Sequence, residues 1–320
     1  MQEPGDRVSG GGFRRALVTG GAGFIGSHVT RELLRRDIAV TVLDDLSTGR
    51  REALPSAASL VVGDVRDPGA TRAALDGVDA VFHLAAKVSV RGSFEQFYED
   101  VETNVLGTAN LLRCLDPQSV RRFVLASSMA VYAESDPGRT VSESHPCHPL
   151  SPYGVGKLSA EMLCSHILRQ MAIPFTALRY FNTFGPGQRF TPYVGVITIF
   201  VTRLLRGEAP ILFGDGLQRR DFVHVDDIAA GTVAALDGPA GTYNLGTGEG
   251  TTVKELAELL VARIDPSVKV ISAPAQEGEL RHSVADIGEA ASKLGYRPRR
   301  RLREDIGSVI EAIRSAGESK

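Results

Sequence analysis

Gly20-Gly21-Ala22-Gly23-Phe24-Ile25-Gly26 follows directly on Ala16-Leu17-Val18-Thr19, and the spacing of Gly20, Gly23 and Gly26 decides how the first half of the chain folds. The three glycines stand where an apolar strand ends and a helix-periodic segment begins. Without Cβ atoms they permit a tight turn, close approach of a pyrophosphate and close packing of helix on sheet. The helix start, with Phe24 and Ile25 in its first turn, offers unpaired N–H groups to the anion. A glycine turn alone is a weak signal, since many such turns only change the chain direction. Here, eighteen residues beyond Gly26, Asp44 ends the second strand in VTVLDDLSTG. A carboxylate there accepts hydrogen bonds from both ribose hydroxyls and repels a 2'-phosphate. The expected cofactor is NAD, with Arg50 and Arg51 nearby as the one reservation against excluding NADP.

Outward from that turn, short apolar runs alternate with helical patterns through the first 180 residues. Strands are expected at Ala16 to Thr19, Ala39 to Asp44, Leu60 to Val62, Ala80 to Leu84, Arg122 to Ser127 and Phe175 to Leu178. Helices are expected at Ile25 to Arg35, Glu99 to Leu115 and Tyr153 to Met171. Near-continuous apolar runs too short for helices fit strands buried on both faces, so the fold class is α/β, a doubly wound parallel sheet of the Rossmann type. After Arg179 the alternation turns irregular, with helices near 196–206, 253–263 and 303–314 and a strand at 243–245. The organisation read from this is a tail over 1–12, a dinucleotide-binding domain over 13–180 with returns near 215–248, and a smaller mixed α/β lobe over 181–320 that holds the substrate.

The chain has 320 residues, net charge -2 at pH 7 and three cysteines. Interspersed charges give no reason to expect nucleic acid or membrane surfaces. No apolar run approaches the ~18 residues of a membrane span, and the first residues lack a secretory pattern, so a cytoplasmic location is expected. Cys114, Cys147 and Cys164 show no metal-ligand spacing; they read as packed thiols, and no metal is expected. The Arg299-Arg300-Arg301-Arg303 cluster reads as a solvated stretch.

Tyr153 and Lys157 in SPYGVGK lie at i and i+4, on one helical face, so an ammonium can approach the phenol and a cofactor ribose together. A free tyrosine with a pKa of about 10 is a poor base. Positive charge from Lys157 and from nicotinamide favours phenolate and would make it a useful one. The competing reading of such a pair, a half-exposed tyrosine beside a surface lysine, is outweighed by the dinucleotide fingerprint upstream.

The chain at this point resembles the extended short-chain dehydrogenase/reductases, in the branch of nucleotide-sugar 4-epimerases and dehydratases. TGGAGFIGSH, LDDLSTG, GDVRD, FHLAA, TNVLGTANLL, LASSMAVY, SPYGVGK, RYFNTFGPGQ, GDGLQRRDFVHVDD and YNLGTG occur in the family's order over about residues 14 to 315. The resemblance implies adenine-side contacts at Asp64 and Val65, a strand end under the cofactor at Leu84, Ala85 and Ala86, and a buried helix asparagine, Asn104, among the cofactor contacts. It implies that Ser128 hydrogen-bonds the sugar O4 beside Tyr153 and Lys157, that Met129 and Val196 border the substrate, and that Asn182 and Arg220 bind the nucleotide pyrophosphate. The segment QEGELRHSVAD resembles the one that closes over nucleotide and sugar. In it Gln276 stands where an arginine is frequent, and Ser283 where a tyrosine would restrict the pocket to unsubstituted hexoses. Lys87 replaces an apolar or amide residue; its side chain either engages the sugar or points to solvent. Gly156 replaces the usual serine.

The activity implied is an NAD-dependent 4-epimerase of a UDP-sugar passing through a 4-keto sugar, on a homodimer built from the helices near Glu99 to Leu115 and Tyr153 to Met171. A 4,6-dehydratase of the family carries an Asp-Glu pair directly after the Ser128 position, where this chain has Met129 and Ala130. A glucuronate 4-epimerase usually has threonine at the Asn182 position, which favours a neutral sugar. A 4-ketoreductase using the same residues stays open, and a non-catalytic NAD sensor is the remote alternative.

Overall fold

The computed structural model describes residues 12–190, 195–275 and 280–318. The chain begins with β1 (Arg15–Thr19), α1 (Phe24–Arg35), β2 (Ala39–Asp44), β3 (Ser59–Val62), α2 (Pro68–Ala74) and β4 (Ala80–His83). Next come α3 (Gly92–Glu95), α4 (Phe97–Val101), a π-helical turn (Glu102–Leu106), α5 (Gly107–Cys114), β5 (Arg122–Ser128), α6 (Pro152–Gln170) and β6 (Phe175–Tyr180). The remainder comprises β7 (Asn182–Phe184), α7 (Val196–Leu205), β8 (Ile211–Phe213), β9 (Arg219–His224), α8 (Val225–Ala234) and β10 (Gly241–Leu245). It closes with β11 (Gly250–Thr252), α9 (Val253–Ile264), β12 (Ile271–Ala273), β13 (His282–Ser283), α10 (Gly288–Lys293) and α11 (Leu302–Glu318).

Seven parallel strands form the main sheet in the order β10-β6-β5-β4-β1-β2-β3. Along β1, Ala16 and Val18 enter one hydrophobic layer and Leu17 the other, all three fully buried, which is why the strand shows no polar alternation. The order reverses between β1 and β4. A crevice opens at such a reversal, beyond the carboxyl ends of the strands. A third layer, including Phe200, Leu204, Leu256 and Ile310, is the core of the smaller lobe. The short strands β7, β9, β11 and β13 form a second sheet there, and β8 pairs with β12.

The helix expected as one element from Glu99 to Leu115 is α4, the π-helical turn and α5 in series. Gly107 seats the start of α5, since a Cβ there would lie 2.7 Å from Val65 Cγ1. Helix α2 was not anticipated, although its start carries a readable signal. Asp67 caps it by accepting the Gly69 N–H, and Pro68 occupies the first turn, where no N–H is needed. The lobe strands, two to six residues long, are too short to show a periodicity. Among the described residues no helix is long and apolar enough to cross a membrane.

Candidate active site

A cavity of about 1680 Å³ opens at the strand-order reversal and runs from the glycine turn to the smaller lobe. At its inner end, Gly20 adopts φ +68°, and a Cβ there would come within 2.7 Å of the Ala85 backbone nitrogen just past β4. The two strand ends can meet this closely only with glycine at that place. Gly26 is equally constrained, because a Cβ would lie 2.2 Å from the Gly20 carbonyl oxygen. No side chain caps α1, which begins after Gly23 with no acidic residue in its first turn. Phe24 and Ile25 line the cavity beside these uncapped N–H groups. Asp44 is buried on the same wall and accepts the Ala22 and Leu46 N–H groups, each at 2.9 Å. Burial pushes its carboxyl upward, against those two hydrogen bonds.

Val65, Leu84, Ala85 and Ala86 also line the cavity, as does Asp64. The Asp64 carboxylate is engaged by Arg66, whose Nε and Nη2 donate to it at 3.0 and 2.6 Å, and this pairing pulls its pKa down. Asn104 takes a different place from the one expected of a cofactor contact. It is buried off the cavity wall, where its amide clamps the chain after β4: Oδ1 accepts the Lys87 N–H at 2.9 Å and Nδ2 donates to the Lys87 carbonyl at 3.0 Å.

Ser128, Tyr153 and Lys157 all line the cavity. Ser151 caps α6 by accepting the Gly154 N–H, with Pro152 in the first turn. Gly154 lets the helix press on the segment after Ser128, since a Cβ would lie 2.3 Å from the Ala130 carbonyl oxygen. Tyr153 and Lys157 are both buried, with the Lys157 ammonium donating to the Ala126 carbonyl at 3.0 Å. The electrostatics differ from the sequence expectation of an acidified phenol. Burial pushes Tyr153 up to about 12, a hydrogen bond from Ser128 opposes this, and Asp100 adds to it. Burial pulls Lys157 down to about 8. Enclosure outweighs charge attraction in the protein alone.

Towards the smaller lobe the cavity is lined by Lys87, Met129, Asn182, Val196 and Arg220. Asn182 Oδ1 is buried with no hydrogen-bond donor among the described residues. Arg220 is buried on β9 and donates to the Arg219 carbonyl at 3.0 Å. Lys87 is exposed on the wall. Ser283 pairs in register with Arg220 but is buried behind the wall and does not line the cavity. Gln276 lies outside the described residues.

Several residues that hold the site together were missed. His83 is buried at the end of β4, pulled down to about 3 by desolvation. Thr19 Oγ1 accepts the Leu84 and Ala85 N–H groups at 3.1 Å, so its own proton goes to His83 Nδ1 at 2.7 Å. That fixes the tautomer in which Nε2–H faces Thr108 Oγ1 at 2.9 Å. Asp221, fully buried on β9, accepts from Thr247 N and Oγ1, Gly248 N and Ala285 N, joining both sheets. Glu161, two turns beyond Tyr153, forms a buried two-point ion pair with Arg179, which donates from Nε at 3.0 Å and Nη2 at 2.7 Å. FHLAA and RRDF were visible as motifs, yet side-chain partners 18 to 64 residues away carry no local signal.

Residues 16–246 match the family described as "NAD dependent epimerase/dehydratase family". The chain belongs to that family. The UDP-glucose 4-epimerase of Thermotoga maritima, solved with UDP-glucose, is similar to it with a TM-score of 0.90 and 36% identity, covering 94% of this chain and 99% of that one. The UDP-glucose 4-epimerase of Thermus thermophilus, solved with NAD, has a TM-score of 0.88 and 36% identity over the same shares. A UDP-N-acetyl-alpha-D-glucosaminuronate decarboxylase of Bacillus cytotoxicus is 32% identical over 270 residues, 82% of this chain and 84% of its own length.

As a member of the NAD dependent epimerase/dehydratase family, this enzyme uses NAD. Its residues fit the cofactor. The turn closed by Gly20 and Gly26 has no room for side chains, the α1 N-terminus suits a pyrophosphate, and Asp44 suits ribose hydroxyls.

Proposed function

We propose that the enzyme is a nucleotide-sugar 4-epimerase acting on a UDP-sugar of the UDP-glucose/UDP-galactose or UDP-GlcNAc/UDP-GalNAc type through a transient 4-keto sugar. The observation that carries this reading is that Ser128, Tyr153 and Lys157 line one cavity that also reaches the glycine turn, Asn182 and Arg220. When bound, NAD supplies a two-electron acceptor at the sugar C4. The rest of the work falls to side chains. Ser128 orients the 4-hydroxyl and Tyr153 takes its proton, returning it when the hydride comes back on the other face. The lysine holds positive charge near the phenol, and the oxidised nicotinamide adds more, which offsets the burial that raises Tyr153. Arg220 donates two N–H groups to the pyrophosphate, and Asn182 Oδ1 awaits a donor on the nucleotide side. Held there, the keto sugar can turn over without leaving.

Met129 and Ala130 follow Ser128, and neither can move a proton, so elimination of a 6-hydroxyl lacks its acid and base. That disfavours the dehydratase reading. A 4-ketoreductase would use the same side chains and is separated by stoichiometry. Purified enzyme with no added NADH should bring UDP-glucose and UDP-galactose, or the N-acetylated pair, to equilibrium. Strict consumption of one NADH per product would establish the reductase instead.

The homodimer we infer is supported by apolar residues exposed across α4, the π turn and α6, among them Tyr98 at 65%, Leu106 at 56% and Met162 at 56%. The three cysteines are free, which fits a reducing compartment, and we place the enzyme in the cytoplasm.

A further inference from the structure

We propose that Asp100 is a positioning residue for Lys157, a buried carboxylate held by Asn104 against the backbone of α6 that keeps the neighbouring ammonium charged. Its role in turnover rests on the epimerase reading, whereas its coupling to Lys157 does not.

Asp100 is 2% exposed on α4. A buried carboxylate demands compensation. The Asp100 side chain receives one hydrogen bond, from the neutral Asn104 amide at 2.9 Å, and has no ion-pair partner among the described residues. Asn104 cannot turn away, because its amide is also fixed to both backbone groups of Lys87. The carboxylate is thereby pressed on Gly156, where a Cβ would lie 3.1 Å from Asp100 Oδ1. Gly156 directly precedes Lys157, so the glycine that replaces a serine in this chain makes room for a carboxylate one residue from the ammonium.

Lys157 is 5% exposed, and the hydrogen bond it donates goes to a neutral carbonyl, that of Ala126. The charged groups around it come from three directions. On α6, Glu161 faces it, but that carboxylate is matched by the two-point bond from Arg179; Cys164 and the Tyr153 phenol are also on this helix. From β4, His83 faces it as a neutral ring. From α4, Asp100 faces it, and Lys87 also acts on that carboxylate. Asp100 is the strongest influence opposing the burial of Lys157, ahead of Glu161, and the same charge also raises Tyr153. The carboxylate therefore favours the protonated form of both groups, with burial the larger influence on the phenol. Without it, burial would discharge the ammonium close to neutral pH.

The test reads Lys157 directly. Full-length protein carrying lysine labelled with carbon-13 at Cε is titrated by NMR, and the Lys157 resonance is identified by its loss in Lys157→Met. The wild-type midpoint is expected near 8. In Asp100→Asn it should fall by roughly 1 unit, and the alkaline limb of the pH profile for UDP-sugar interconversion should move with it. An unchanged Lys157 midpoint overturns the proposal. Should Asp100→Asn fail to fold, the converse measurement decides, since coupling between two sites is reciprocal. In Lys157→Met with labelled aspartate, the Asp100 midpoint should rise by a similar amount, and an unmoved midpoint overturns the proposal. If the wild-type protein interconverts no pair of UDP-sugars without added NADH, the epimerase reading falls, while the two titrations still decide the coupling.

Discussion

Tyr153 has its phenol buried and driven up to about 12, so as a base it depends on charge that arrives with the cofactor. Replacing it by phenylalanine removes the acid and base together while keeping the ring. The expected result is a loss of kcat of roughly 10²- to 10⁴-fold with NAD still bound, checked by steady-state rates alongside cofactor content of the purified protein. Unchanged kcat would remove the proposed mechanism. Ser283 tests specificity in the same way. Being enclosed behind the cavity wall beside Arg220, it leaves no room for a larger side chain in place, and a tyrosine there must displace what surrounds it. Ser283→Tyr should therefore lower kcat/KM for UDP-glucose and UDP-GlcNAc alike by disturbing Arg220, and a loss confined to UDP-GlcNAc would show instead that this side chain reaches the sugar.

At the level of elements, the turn between β1 and α1 is the least tolerant part of the fold. Gly26→Ala places a methyl 2.2 Å from the Gly20 carbonyl oxygen, backbone that cannot yield cheaply. A stability loss of ~1–3 kcal/mol is expected, with weakened NAD retention, measurable by thermal melting with and without added NAD. The buried Glu161–Arg179 pair joins α6 to β6. Arg179→Met strands a carboxylate inside the protein and should cost ~3–5 kcal/mol by urea denaturation, whereas replacing both partners with apolar side chains should recover most of it. Comparison with the sequence follows the same division. The turn, the seven strands foreseen and α6 were legible because each is encoded within a few residues by glycine spacing or apolar runs. The break in the helix around Glu102–Leu106 was not, nor was the withdrawal of Asn104 from the cavity, because both depend on what α4 and α5 meet across the fold. The raised phenol of Tyr153 escaped for the same reason: spacing shows which charges are near, while burial is a property of the assembled layers.

For the whole molecule, His83 makes a definite contribution to the pH dependence on the acid side. Its ring is neutral in the folded protein down to about 3, while in the unfolded chain it takes up a proton near 6.5. The unfolded state therefore binds more protons below 6.5, and this group's contribution to stability is lost progressively as pH falls from there towards 3. Urea midpoints should decline on acidification through pH 6 in the wild type and decline less steeply in His83→Gln. The order of the main sheet has one more consequence. Strand β10, which covers the outer edge of β6, is contributed by residues 241–245, and α8 from the same stretch packs on α1. A ribosome that has delivered the first 180 residues has thus released a sheet whose β6 flank is bare, an open template for sticking to other nascent chains until the last strand emerges. Cutting the gene at the apparent lobe boundary would make that transient hazard permanent, so the cofactor-binding half should precipitate when expressed alone.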